Sequence, residues 1–361
     1  MKIKQIFSFI VVLILLGNNL FAQIEIMTNE FLYDTASFPS CHASTLTEAE
    51  NGDILVAYFG GSYEGCKDVN IYLSRKKHNS TFWENPIEIA NGEIEGTIKE
   101  KKACYNPVLI KMPDNQIVLF FKVGNCVQDW KGYYSVSDDN GLSWSKKQPL
   151  LENFLGPVKN KPIIRNNTMI CGSSTEKDWW KIHFELLDLN TNQWSKTDNI
   201  KTEKAVSTME MPKGKKKDII CIQPTIFTLE NGDLLALNRT KNGFLAKTTS
   251  KDNGKTWSKV TLSNIPNNNS GIDGITLQDG RHLLVYNDVQ TKNGEEMGAR
   301  TPLTIAIFDK DFKEIIYKTN IETEQGEFSY PSVIQDKNGK IHIAYTWNRK
   351  KIKYICIKLS E

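Results

Sequence analysis

The chain has 361 residues, 40% of them hydrophobic and 10% aromatic, with 45 Lys and Arg against 42 Asp and Glu and a formal net charge of +3. That near balance excludes the basic face a nucleic-acid partner demands. No segment after the N-terminus is apolar enough to cross a bilayer as a helix, which takes about 20 residues.

The N-terminus carries Lys2 and Lys4, an apolar run Ile6–Leu16, and Leu20-Phe21-Ala22 before Gln23. This is the pattern of a secretory signal peptide over residues 1–22, leaving residues 23–361 as one domain, exported to the periplasm or beyond the cell. Without Lys2 and Lys4, 43 basic residues remain against 42 acidic. Export permits disulfides. Seven cysteines (41, 66, 104, 126, 171, 221, 356) leave at least one thiol unpaired, and their spacing fits no metal site. Cys66 and Cys126 are a possible pair; buried free thiols are the alternative.

One unit then recurs along the chain, a strand, a tight polar turn and a second strand. It runs over Thr45–Tyr58 (turn Asn51-Gly52), Pro107–Phe121 (Asp114-Asn115), Pro162–Cys171 (Asn166-Asn167), Gln223–Arg239 (Asn231-Gly232), Thr276–Tyr286 (Asp279-Gly280) and Pro331–Tyr345 (Asn338-Gly339). Successive turns lie 63, 52, 65, 48 and 59 residues apart, from Gly52, Asn115, Asn167, Gly232, Gly280 and Gly339. All-β repeats of this length predict a six-bladed β-propeller with one four-stranded blade per repeat. The last repeat lacks a strand, which Ile24–Tyr33 can supply to close the ring and remove exposed edges.

A second element, Ser-x-Asp-x-Gly-x-[Ser/Thr]-Trp, occurs at Ser137–Trp144 and Ser250–Trp257. Eroded forms lie at Ser74–Trp83 and Leu187–Trp194, and the sixth repeat keeps only Asp309 and Asp311. Asp and Asn cap such a turn, Gly takes positive φ and Trp packs between sheets, so these boxes are structural. The basic run Lys213–Lys217 reads as a solvated loop.

In a propeller one face gathers the starts of all first strands and the ends of all second strands. The starts are His42, Asn106, Lys161, Gln223, Asp273 and Tyr330, each polar ahead of an apolar strand. The second-strand ends contribute Glu64 and Asp68, Lys122 to Trp130, Ser173 to Trp180, Arg239, Asn287 and Trp347, with Arg300 opening a third strand on the same rim. This face is the expected ligand site.

At these residues the chain resembles the sialidase (neuraminidase) superfamily, over nearly all of the mature length. The resemblance implies an arginine clamp for a substrate carboxylate, with Arg239 and Arg300 matching two of three arginines, and a tyrosine nucleophile matched by Tyr330. It departs where the first arginine is His42, in Cys41-His42-Ala43-Ser44-Thr45, and where the tyrosine's glutamate is Gln223. For the acid, Glu64 is nearest, with Asp68 four residues on.

Arg suits bidentate binding of a carboxylate, and the alternative is salt bridging to rim acids. A phenol ionises in water only near pH ~10 and needs help, which Gln223 cannot give by taking a proton. His42 is a candidate acid or base near neutral pH. Asn106, Lys161, Asp68 and Asp273 complete the predicted binding set, and Trp130, Trp179 and Trp180 stand in rim loops able to stack on sugars. Three readings follow: a hydrolase removing a terminal acidic sugar, with no cofactor needed; a lyase on uronate-containing polysaccharide using His42 and Tyr330 with arginine neutralisation; and a glycan-binding propeller without catalysis. In each the partner is an acidic oligo- or polysaccharide, the metal content none, and the protein a monomer.

Overall fold

A computed structural model describes residues 24–94, 100–177, 179–206, 216–292 and 294–359. The predicted signal peptide lies outside them. The described residues form 26 strands and no α-helix. Six four-stranded antiparallel sheets follow one another: β2–β5 (residues 40–90), β6–β9 (103–149), β10–β13 (163–196), β16–β19 (221–266), β20–β23 (273–322), and a sixth built from β24 (Phe328–Gln335), β25 (Ile341–Trp347), β26 (Lys351–Leu359) and β1 (Ile24–Phe31). The six-bladed propeller is therefore observed, closed as expected by β1 pairing antiparallel with β26 from Ile24↔Leu359 to Phe31↔Lys353.

The second strands β3 (Ile54–Gly61), β7 (Ile117–Gly124) and β17 (Leu234–Thr240) are buried at every position. Each blade is covered on both faces by its neighbours, which explains their continuous apolar runs in place of an in–out alternation. The outer strands, such as β5 (Ile87–Ala90) and β13 (Gln193–Lys196), carry the exposure. Four of the six hairpin turns place a glycine in the left-handed region, as Gly52, with φ 85°, donates its N–H to Ala49 O at 3.0 Å, and Asn115, with φ 71°, takes that place in the second. Of the six turns joining a first to a second strand, Asn166-Asn167 is the one in which both turn residues take positive φ, 49° and 54°.

The two complete boxes form the same knot. Asp139 accepts from Ser143 N–H at 2.9 Å and Ser143 Oγ at 2.5 Å, and Asp252 accepts from Thr256 at 2.8 and 2.5 Å. Trp257 then stacks on Phe184 of the preceding blade, 3.7 Å between centroids and 9° between planes. Asp309, assigned above to the sixth repeat, caps the β22–β23 turn of the fifth blade through Lys313 N–H at 2.6 Å. A two-stranded ribbon, β14 (Lys204–Val206) with β15 (Lys216–Asp218), sits between the third and fourth blades, so Lys216 and Lys217 are on a strand rather than in a loop. All seven cysteines are free thiols; Cys66 and Cys126 are not bonded.

Candidate active site

Four inner strands share one irregularity. The pairing of the first and second strands slips at His42/Thr45, Tyr105/Val108, Ile222/Thr225 and Ser329/Ser332. At each slip a non-glycine residue takes positive φ: Ala43 (56°), Asn106 (36°), Gln223 (57°) and Tyr330 (52°). Bulges of this kind re-aim side chains, and strained backbone concentrates at functional sites. The slips also correct the expected alignment: the residue equivalent to Tyr330 and Gln223 in the first blade is Ala43, and His42 precedes it.

Tyr330 is the centre. Its Oη accepts a hydrogen bond from Arg239 Nη1 at 2.5 Å, and Arg239 Nε donates to Asn269 Oδ1 at 2.8 Å. Arg239, Arg300 and Lys159 each bring their cation 5.8 Å from the Tyr330 ring centre. One ring face rests on Gly271, where an added Cβ would meet ring carbons at 3.2 Å and the ring would have to give by a few tenths of an ångström. The His42 ring centre is 4.2 Å away.

A third arginine joins the two predicted ones. Arg349, in the β25–β26 turn, donates from Nε to Glu327 Oε1 at 2.7 Å and from Nη1 to Glu64 Oε2 at 2.6 Å. Glu327 also accepts from Arg300 Nη1 at 2.6 Å, and so holds two guanidiniums side by side. Burial pushes the Glu327 carboxyl up, but Arg300 and Arg349 outweigh this and hold it below the usual carboxylate range. Sequence reasoning passed over Arg349, although the Asn348-Arg349 pair repeats Asn238-Arg239 at the end of a second strand.

Glu176 was also passed over inside the Ser173–Trp180 segment. It follows β11 (Thr168–Thr175). Burial raises its carboxyl above the usual range, opposed by Arg239 and Trp180 and reinforced by Glu64. Trp180 stacks its ring against Arg239 at 4.9 Å and Lys241 at 4.5 Å.

Other predicted residues take different parts. His42 is buried, 1% exposed, with Nδ1 2.9 Å from Thr346 Oγ1 and Nε2 buried without a partner. Burial, then Arg349, Arg300, Arg239 and Lys159, depress its pKa well below the ordinary value, so it stays neutral and does not titrate near pH 7 as expected. Gln223 anchors through its backbone to Ser174 Oγ and Asn160 Nδ2, leaving Oε1 buried and unpartnered. Lys161 and Asp273, expected to bind substrate, form an ion pair with each other, and Asp273 accepts Val333 N–H at 2.9 Å. Buried opposite charges neutralise one another there and tie the inner strands together. Asp68 is turned to its own loop, accepting Ser62 N–H at 2.9 Å and Oγ at 2.6 Å. Glu64, expected as proton donor, is engaged by Arg349. Asn106 is buried at the second-blade slip. Trp130 packs edge-on to Tyr105, and Trp179 is exposed.

Comparison with known proteins agrees with this architecture. A structure of unknown function from Dyadobacter fermentans shares 14% identity, with 93% of this chain and 99% of that one covered and a TM-score of 0.71. NanB sialidase from Streptococcus pneumoniae shares 14% over 92% and 70% of the two chains, TM-score 0.66. The intramolecular trans-sialidase from Ruminococcus gnavus, in complex with oseltamivir carboxylate, shares 13% over 91% and 97%, TM-score 0.67. At these identities the likeness is one of fold. Curated protein sequences give no match. The BNR repeat-like domain model matches residues 52–343, and the chain belongs to that family.

Proposed function

We propose that the protein is an exported glycoside hydrolase that removes a terminal acidic sugar. Arg239, Arg300 and Arg349 bind the sugar carboxylate, with Glu327 aligning the last two. Tyr330 Oη attacks the anomeric carbon as the bond to the leaving oxygen breaks, its own proton passing to solvent while Arg239 hydrogen-bonds that oxygen; water, deprotonated by Glu176, then cleaves the sugar–tyrosine bond and restores both residues. Glu176, rather than Glu64, gives its proton to the leaving oxygen, the task for which a raised carboxyl is suited. A tyrosine in place of the usual second carboxylate is an established variant of glycoside hydrolysis. The observation that carries the reading is the 2.5 Å Arg239–Tyr330 hydrogen bond with Glu176 beside the same guanidinium.

A lyase acting on a uronate is the second reading, favoured by Gln223 and by the unpartnered His42 Nε2. With Thr346 accepting from Nδ1–H, a neutral His42 carries its lone pair on Nε2. It would take the proton next to the carboxylate while the C–O bond to the leaving sugar breaks and Tyr330 O–H gives its proton to the departing oxygen. One experiment separates the readings. The purified protein is given sialosides and uronate-bearing oligosaccharides, and released reducing sugar is followed together with ultraviolet absorbance of an unsaturated uronate. Reducing ends without absorbance support the hydrolase. Absorbance rising with cleavage supports the lyase, and binding without either product supports a lectin-like propeller. Export is tested by expressing the full chain and sequencing the N-terminus of extracytoplasmic protein, expected at Gln23.

A further inference from the structure

The third blade enters the ring by a different route from most of the others. Its first strand, β10, is only Ile163–Arg165, whereas β2 (Ser40–Glu48), β6 (Ala103–Lys111), β16 (Cys221–Thr228) and β24 run for eight or nine residues. Residues 156–160 ahead of it join no strand and are nevertheless buried. Three consecutive side chains here reach across to other blades. Lys159 Nζ donates to Ile272 O at 2.8 Å and to Pro331 O at 2.5 Å. Asn160 Nδ2 donates to Gln223 O at 3.0 Å, and Lys161 Nζ donates to Ser332 Oγ at 2.9 Å and pairs with Asp273. One short segment thereby fastens the inner strands of the fourth, fifth and sixth blades.

The two lysines hold different things. Ile272 and Pro331, both gripped by Lys159, directly follow Gly271 and Tyr330, the glycine and the ring that meet in the site. Tyr330 needs such a grip. Its φ of 52° is one that a side-chain-bearing residue keeps only where its surroundings impose it, and Pro331 has no N–H with which to tie the strand down. Strand pairing passes from Ser329 to Ser332 and skips both residues, and the Tyr330 carbonyl has only a long contact, 3.4 Å, from Ser44 Oγ. Lys159 is 4% exposed, with Nζ 5.8 Å from the ring centre, so it acts on the ring from behind rather than on substrate. Lys161 bears on Asp273 and Ser332, one residue further from the ring. We propose that Lys159 is a positioning residue: by bridging Ile272 O and Pro331 O it fixes Gly271 and Tyr330 relative to each other and so aims Tyr330 Oη. What Oη is aimed at rests on the hydrolase reading; the seating of the ring does not.

The test compares Lys159→Met, which keeps the length of the side chain but donates nothing, with Ser332→Ala, which takes one acceptor from Lys161 and leaves Lys159 in place. On an acidic aryl glycoside Lys159→Met should lower kcat about a hundredfold, the cost of a misplacement of about 1 Å, with KM within about threefold because the arginines are untouched. Ser332→Ala should keep kcat within about threefold of wild type. Position is read separately by NMR of the protein labelled with ring-¹³C tyrosine, the Tyr330 signal being identified by its absence from Tyr330→Phe. That signal should move in Lys159→Met and stay in Ser332→Ala, while the signal of Tyr317, on the outer strand β23 (Ile315–Glu322), stays in both. A kcat of Lys159→Met within about tenfold of wild type, a loss carried by KM instead, or an unmoved Tyr330 signal overturns the proposal and leaves the hydrolase reading intact. If the wild type cleaves no acidic glycoside, the hydrolase reading fails, and the Tyr330 signal alone decides for or against the seating. Should circular dichroism find Lys159→Met unfolded, Lys159→Gln, which keeps a donor on a shorter arm, is held to the same two readouts.

Discussion

Tyr330→Phe removes one oxygen and keeps the ring, so the Gly271 contact and the 4.2 Å approach of His42 persist. What is lost is the 2.5 Å bond from Arg239, made where the two side chains are 9% and 6% exposed. A charge-assisted hydrogen bond is worth about 1.5–3 kcal/mol, and Arg239 keeps its Nε bond to Asn269, so the stability loss should be near the lower half, about 2 kcal/mol. In a chain of this size that lowers Tm by roughly 3 °C. Catalysis should respond on a different scale, with kcat falling about a thousandfold or more once the nucleophile is gone. Scanning calorimetry and kcat on an acidic aryl glycoside measure the two effects separately. A kcat within about tenfold of wild type, with the Tm drop present, would make Tyr330 a packing residue and refute the nucleophile assignment.

Glu176→Gln should remove the high-pH limb of the kcat profile. A donor whose carboxyl is raised by burial holds its proton further up the pH scale, so wild-type activity persists above the ordinary carboxylate range and falls as pH rises through the raised value; a variant with an unchanged limb would sink the role. Arg300→Ala should raise KM for acidic substrates by about tenfold to a hundredfold and leave binding of neutral sugars nearly unchanged; equal losses would dismiss the clamp. Phe184→Ala, which leaves Trp257 without its stacking partner, should cost about 3–5 kcal/mol in denaturant unfolding, and a loss under about 1 kcal/mol would deny the inter-blade contact its weight. Lys159 is buried, donates to Ile272 O and Pro331 O, and burial lowers its pKa from 10.5 to about 7. The unfolded chain then binds more protons between about pH 7 and 10, so this group makes stability rise with pH there, and Lys159→Met should flatten that slope in urea titrations.

The propeller was legible because its signals are local. An Asn-Gly pair between apolar runs states a hairpin within about fifteen residues, a Ser-x-Asp-x-Gly-x-Thr-Trp box closes on itself, and a last repeat one strand short points to Ile24–Tyr33, of which Ile24–Phe31 forms the strand. Tyr330, Arg239 and Arg300 were legible too, because each stands where a strand begins or ends on one rim. Position on the rim did not reveal partnership. Lys161 and Asp273 qualified by place alone, and only the folded ring shows them neutralising each other 112 residues apart.

By itself the sequence determined blade count, turn chemistry, ring closure and the rim on which polar residues gather, since these depend on period and neighbouring residues. The tertiary structure decided the rest. Arg349 reaches Glu64 across 285 residues, Glu327 gathers two arginines, and Glu176 is raised by burial that exists only once the blades meet. The one-residue slip that aims Tyr330 and Gln223 inward, and puts Ala43 rather than His42 in their register, is a property of strand pairing. Convergence across a ring leaves no mark on local periodicity, because the distance that matters there is through space and not along the chain.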